Sequence, residues 1–297
     1  MENAQRISAA APSREHLACV QGRISFAEPA LGDRAPASVA PYGYEIPFAD
    51  YEVTIRDARP IVDGLSLDKE GFTLIQHKVS CLVERDPEIF KRRYLDEMTP
   101  FIKDYFKASW VTTSDLGGVS LRSLGGAFFR GPTTDGTDQT DAGKRAIRKF
   151  GASYAHCDYS PVAGPQVAAR DNQVQGNEIR AYSRLMIIQT WRVLSPPPQD
   201  FPLAFCDASS ISETDLVEAP QIKYGTSIRI SLPRYNPAQR WYYLPDMKPD
   251  ELYLFKGYDS EMHYKPWAPH SAFDNRRTYP DAKPRESVET RFFVYYE

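Results

Sequence analysis

Apolar and polar residues alternate along much of this chain, and a period of two marks strands. Tyr51-Glu52-Val53-Thr54-Ile55 is one such run and Phe72-Thr73-Leu74-Ile75 a second. The period then lengthens. Asp86-Pro87 opens a helix running to about Tyr94, with Asp86 as N-cap and Pro87 in the first turn. A second helix is expected over Met98 to Ala108, where Phe101, Ile102, Tyr105 and Phe106 fall at helical spacing as packing residues. From Trp110 the pattern is strand-like again. Arg184 to Arg192 reads as a buried strand; Ile228–Leu232, Trp241–Leu244, Glu251–Phe255 and Ser287–Tyr296 follow as further strands. Two polar stretches, Gly131 to Gly143 and Val162 to Asn177, read as loops, the first a candidate lid. Helices early, then strands with no helix between them, predict a mainly β fold with flanking helices: a sandwich or jelly roll with a helical layer on one sheet. Residues 1–45 mix Ala, Pro, Gly and Ser without a period. They read as an irregular arm with one short strand around Cys19 to Phe26, ahead of a single domain over 46–297.

Composition narrows the function more than the fold. The net charge is −3 and charged residues are 25 % of 297, which carries no signal for nucleic acid or an anionic membrane. No run approaches the roughly 18 apolar residues that span a bilayer, and the N-terminus lacks the apolar core of a secretory signal. Cys19, Cys81, Cys157 and Cys206 are far apart and form no CxxC pair. That argues against a zinc ribbon and for a reducing, cytoplasmic setting. A homodimer is left open.

The chemistry starts at His156-Cys157-Asp158. On a strand, residues two apart share a face, so His156 and Asp158 converge while Cys157 turns away. An imidazole beside a carboxylate is two thirds of a facial triad for non-heme Fe(II), which leaves metal positions open. Of the other histidines, His16 lies in the arm and His77 precedes the helices. His263 and His270 remain as third ligand. His270, late in the strand-rich half, is favoured, because Greek-key connections return late strands beside early ones. Farther on, Arg285 and Ser287 share a face at the start of the last strand. A guanidinium beside a hydroxyl suits a small carboxylate. The same face continues through Glu289 and Arg291, and is polar where a core strand would be apolar.

The order His-x-Asp, His, Arg-x-Ser is that of 2-oxoglutarate-dependent Fe(II) oxygenases, and the likeness is closer than that superfamily. Asp57-Ala58-Arg59, Leu67-Asp68 with Gly71-Phe72, His156-Cys157-Asp158-Tyr159-Ser160 and Trp191-Arg192 resemble the CmcJ/NvfI family of oxidoreductases. So do Phe201 to Asp207, Arg240-Trp241-Tyr242-Tyr243, Phe255-Lys256 with Asp259-Ser260, Pro269 to Phe273, and Pro284-Arg285-Glu286-Ser287. The resemblance covers roughly residues 51 to 297. It implies a double-stranded β-helix (cupin-like), Fe(II) held by His156, Asp158 and His270, 2-oxoglutarate anchored by Arg285 and Ser287, and dioxygen, with ascorbate as a candidate reductant. It also implies a small natural-product or amino-acid-derived substrate, often in fungal secondary metabolism. Hydroxylation, desaturation, ring closure and endoperoxide formation all remain open. Two positions depart from the family pattern: Gln189 stands where an Asn is usual, and Val193 where a Pro follows Trp-Arg. Gln189 still offers a hydrogen bond to 2-oxoglutarate. Tyr154, Tyr159, Trp191, Trp267 and Phe273 are candidate pocket walls. The rival readings are a cupin-like metal protein that binds a small molecule without oxidising it, and a non-catalytic β-sandwich in which the three ligands never meet.

Overall fold

The strands assemble into two facing sheets. The computed structural model describes residues 14–28, 46–113, 119–123, 153–178, 180–223, 226–261 and 267–297. His263 and the Gly131–Gly143 segment lie outside these. The first sheet has five strands: β1 (Cys19–Ala27), β2 (Phe48–Asp57), β10 (Trp241–Tyr243), β7 (Leu203–Cys206) and β12 (His270–Ala272), in that spatial order. The second runs β3 (Phe72–Gln76), β11 (Glu251–Asp259), β6 (Arg184–Val193), β13 (Glu286–Tyr296), β4 (Trp110–Thr113), with β5 (Val119–Ser123) also pairing β13. β8 (Leu216–Lys223) and β9 (Thr226–Pro233) form a separate hairpin. Late strands lie between early ones in both sheets, and the architecture is the double-stranded β-helix. No helix among the described residues is long and apolar enough to cross a membrane.

Strand parity splits β6, β11 and β13 into two faces. Met186, Ile188, Leu252, Leu254, Val288, Phe292 and Val294 pack outward against Phe90, Tyr94, Met98 and Ile102 of α1 (Pro87–Phe106). The alternate positions, among them Trp191, Val193, Tyr253 and Phe255, face the first sheet together with Phe205 and Tyr242. Asp86 caps α1 as expected, its side chain accepting from the Glu88 and Ile89 amides. One helix stands where two are expected. Phe90, Tyr94, Met98 and Ile102 form an unbroken four-residue stripe, all fully buried, and it carries the helix through Pro100. An interior proline costs about 3 kcal/mol, which burial of such a stripe exceeds at roughly 1.5–3 kcal/mol per large side chain.

The stretch from Val162 to Asn177 is not a loop. Ala163–Val174 is a helix, α2, with Ala163, Val167, Ala168, Asp171 and Asn172 buried. Two of those inward positions are polar, which hides the helical period. Asn172 donates to the Tyr295 hydroxyl at 2.8 Å and accepts from Thr112 at 3.2 Å, so its partners come from distant strands. Gly164 lies on the Tyr258 ring so closely that an added Cβ would sit 2.3 Å from it.

β1 is the short strand expected around Cys19 to Phe26 in the arm, and it pairs with β2 along nine residues. It also reaches the His-x-Asp segment. Ser25 bridges Tyr154, while His156 bridges His270 and Cys157 bridges Ser231 of β9. The segment from Ser153 to Cys157 therefore links the last strand of the first sheet back to its first. Ala155 of that segment packs in one buried cluster with Ile24, Phe26, Ile55, Trp241 and Phe273.

Candidate active site

His156 and His270 face each other across a two-way backbone pair, with N–H to O=C distances of 3.1 and 3.0 Å. Their ring centroids are 4.3 Å apart. Asp158 lies two residues along from His156 on the same side. One ligand atom from each of His156, Asp158 and His270 falls within 4.8 Å of the others. The strand parity expected from the sequence thus brings His156 and Asp158 together, and among the described residues the late His270 joins them. Cys157 points away and packs with Ala208 and Trp267.

Each imidazole is turned by a carbonyl. His156 Nδ1 lies 2.9 Å from the Tyr154 oxygen, and His270 Nδ1 lies 2.9 Å from the Ala268 oxygen. A carbonyl only accepts, so both Nδ1 atoms carry the proton and both Nε2 lone pairs face the centre. Burial and the facing His270 imidazole push His156 down to about 3. It therefore stays neutral, as a metal ligand must, across the physiological range. Two neutral-nitrogen donors and one carboxylate, buried or half-buried and preset in tautomer, suit a divalent metal with positions left open. Rings surround them: Tyr154 lies 4.6 Å from His156, Phe255 5.1 Å and Phe205 5.8 Å from His270.

The inner face of β13 is polar along half its length. Arg291 donates from Nη2 to Asp158 Oδ2 at 2.9 Å and pairs with Glu289 at 2.5 Å. Burial opposes charge on Arg291, but Asp158 and Glu289 outweigh it and hold its pKa well above the usual guanidinium value. Gln189 stands opposite both Arg291 and Phe255 in the ladder, almost fully buried. Its Oε1 has no hydrogen-bond partner among the described residues. Ser287 is opposite Val193 and buried. Arg285 lies over the Trp191 ring at 5.5 Å and donates from Nη1 to the Phe201 oxygen at 2.6 Å. Rings connect that end of the interior to the triad: Trp191 to Tyr253 at 6.2 Å, Tyr253 to Phe205 at 4.7 Å, and then His270.

Not every expected wall residue faces inward. Phe273 packs edge-on to Tyr243, 5.4 Å away, on the far side of its strand, and Trp267 sits with Cys157. Parity explains Phe273, which is three residues from His270 and so on the opposite face. Phe205 and Phe255 take the place expected of it. Phe205 is the ladder partner of His270, which no local pattern announces. The contact of Arg291 with Asp158 has no local signal in the sequence, although the polar face that carries it does.

A jelly roll with His-x-Asp and a distal His on its inner side is the frame of the non-heme iron oxygenases. A family model described as an oxidoreductase/YMDC permease-like domain matches residues 31–295, and the chain belongs to this family. Among curated relatives, the Fe(II)/2-oxoglutarate-dependent dioxygenase nvfI of Aspergillus novofumigatus is 28 % identical over 250 residues, 82 % of this chain and 83 % of that one. The hydroxylase/desaturase efuI of Hormonema carpetanum is 29 % identical over 259 residues, again 82 % and 83 %. Among solved structures, the iron and alpha-ketoglutarate-dependent endoperoxidase NvfI superposes with a TM-score of 0.71 at 24 % identity, over 94 % of this chain and 98 % of that chain, which establishes the shared fold.

Proposed function

We propose that the protein is an Fe(II)/2-oxoglutarate-dependent oxygenase that oxidises a free, small, largely apolar natural product or amino-acid-derived intermediate. The convergence of His156, Asp158 and His270, with both Nε2 atoms preset toward one point, carries this reading. In it the three side chains hold Fe(II), while Arg285, Ser287 and Gln189 hold 2-oxoglutarate. Iron bound there with 2-oxoglutarate and dioxygen supplies the oxidising power to remove hydrogen from an unactivated carbon. The protein does the rest. The Tyr154 and Ala268 carbonyls fix the imidazoles, Arg285 and Ser287 match the distal carboxylate of the cosubstrate, and the buried Gln189 amide has N–H groups to donate to a cosubstrate oxygen. Phe205, Phe255 and Tyr154 keep the surroundings of the ligands apolar, as ligand pockets mostly are. Four free cysteines suit a reducing, cytoplasmic setting with ascorbate as reductant. The likeness to hydroxylases/desaturases and to an endoperoxidase supports an oxidative step in fungal secondary metabolism.

An anaerobic titration of the Fe(II)-loaded protein with 2-oxoglutarate tests this. A visible charge-transfer band should grow to one equivalent, and succinate should form when air and substrate are admitted. Absence of the band at saturating 2-oxoglutarate rules the reading out. Binding of metal without succinate formation under any substrate returns the chain to the cupin-like alternative. A band that responds only to a carrier-tethered substrate overturns the free-substrate part alone.

A further inference from the structure

A guanidinium on the inner wall of a barrel needs a reason to be there. Arg291 is 7 % exposed and sits between two carboxylates, Asp158 at 2.9 Å and Glu289 at 2.5 Å. Taking that charge out of water is costly unless its partners repay it. Glu289 alone, two residues away on the same strand face, would satisfy it as a half-exposed ion pair. The second contact instead goes to one particular oxygen of Asp158. Oδ2 accepts from Arg291, whereas Oδ1 lies 3.9 Å from His156 Nε2. The two oxygens of the carboxylate are thereby made unequal.

We propose that Arg291, braced by Glu289, is a positioning residue for Asp158: it takes Oδ2 and leaves Oδ1 as the single oxygen presented toward the two imidazoles. This rests on the metal reading given above. The consequence follows from simple geometry. A carboxylate free to turn binds a divalent ion through both oxygens and fills one more position. A carboxylate with one oxygen held by a guanidinium N–H binds through the other and leaves that position for cosubstrate. Glu289 meets the same Nη2 from the other side, which limits how far that nitrogen can swing away from Asp158. The Tyr154 and Ala268 carbonyls play the corresponding part for the two imidazoles, so each of the three ligands has its own partner outside the triad.

The test uses the full-length protein, cobalt(II) as probe and no 2-oxoglutarate. Wild type, Arg291→Gln, Arg291→Lys and Glu289→Gln are titrated with cobalt(II), and the d–d absorption of each complex is recorded. Arg291→Gln should lose about 10–100-fold in affinity, the usual range for a partner of a metal ligand, and its bands should change intensity as coordination number changes. Arg291→Lys should recover the affinity in part, because an ammonium keeps the charge and not the planar, preset N–H direction. Glu289→Gln should shift both readouts in the same direction by less. Cobalt(II) binding and spectra equal to wild type in folded Arg291→Gln overturn the proposal. Should that variant fail to fold, wild-type behaviour of both Arg291→Lys and Glu289→Gln overturns it equally. Failure of wild type itself to bind cobalt(II) at these ligands is a different result, and overturns the metal reading together with this one.

Discussion

β6 and β13 lie side by side and carry one buried arginine each that the other face lacks. Arg192 points outward, under α1. It donates to the His77 oxygen at 2.8 Å, the Pro249 oxygen at 3.2 Å and the Tyr94 hydroxyl at 3.1 Å, and to His77 Nδ1 at 3.0 Å. Arg291 points inward and meets two carboxylates, one of them in the triad. Both are buried, so burial does not tell them apart. Their acceptors do. Neutral acceptors at the strand ends around Arg192 use its charge to tie the helix layer to the sheet. Acidic acceptors around Arg291 place charge where a cation and an anionic cosubstrate would meet. Strand alternation puts Arg192 on one face of the sheet and Arg291 on the other, and so separates these two jobs.

The sharpest break in that separation lies at the inner face. His156→Ala, Asp158→Ala and His270→Ala should each abolish substrate oxidation and lower bound iron below one equivalent, while thermal unfolding of the metal-free protein stays near wild type. Iron analysis with a melting curve checks it, and a fully loaded His270→Ala protein would remove that residue from the ligand set. Next in size, Arg285→Ala should raise the 2-oxoglutarate concentration needed for half-maximal turnover by at least roughly 100-fold, since unpairing a buried carboxylate costs about 3–5 kcal/mol. Arg285→Lys should restore it only in part. An unchanged 2-oxoglutarate requirement in Arg285→Ala moves the anchor to another cation.

How much of this was legible beforehand follows the reach of each signal. Strand parity is local, so the shared side of His156 and Asp158, and the outward turn of Cys157, could be read from three residues. The polar face of Arg285, Ser287, Glu289 and Arg291 was equally visible. Its meaning was not, because Asp158 reaches Arg291 from 133 residues away. α2 was hidden for a related reason: Asp171 and Asn172 occupy inward positions, and the partners of Asn172 come from β4 and β13. Pro100 suggested a break that tertiary packing overrides. β1 could be seen as a strand, but the Ser25–Tyr154 bridge that lets it support the His-x-Asp segment depends on how the sheet curls.

The outer face should answer in stability and leave the site alone. Phe292 is fully buried against the α1 layer. Phe292→Ala should cost about 3–5 kcal/mol, the usual range for removing a core aromatic, read from urea unfolding. The cobalt(II) affinity of the protein that remains folded should match wild type. A large drop in metal affinity would show that the two faces are coupled through β13 and that the separation by parity is incomplete.

The smallest effect concerns the acceptor on the outer arginine. Arg192 can only donate, so His77 Nδ1 must accept, and the imidazole has to stay neutral for the contact to hold. Burial and the Arg192 guanidinium both lower the pKa of His77 from its ordinary 6.5. The sign follows from linkage. Below 6.5 the unfolded chain takes up a proton that the folded one refuses, so the unfolded state binds more protons and stability falls as pH falls. The loss begins near 6.5 and stops growing once pH passes below the lowered native value, with a slope of at most about one proton. His77 is half-buried, its ring tilted against Phe101 at 3.9 Å, so solvent screening reduces the effect. His77→Gln keeps an acceptor for Arg192 and cannot titrate. Urea midpoints measured at pH 7.5 and pH 5 should therefore differ less in His77→Gln than in wild type. An identical difference in the two proteins would mean that the acid sensitivity of the outer layer comes from its carboxylates and not from the contact that ties Arg192 to the helix side.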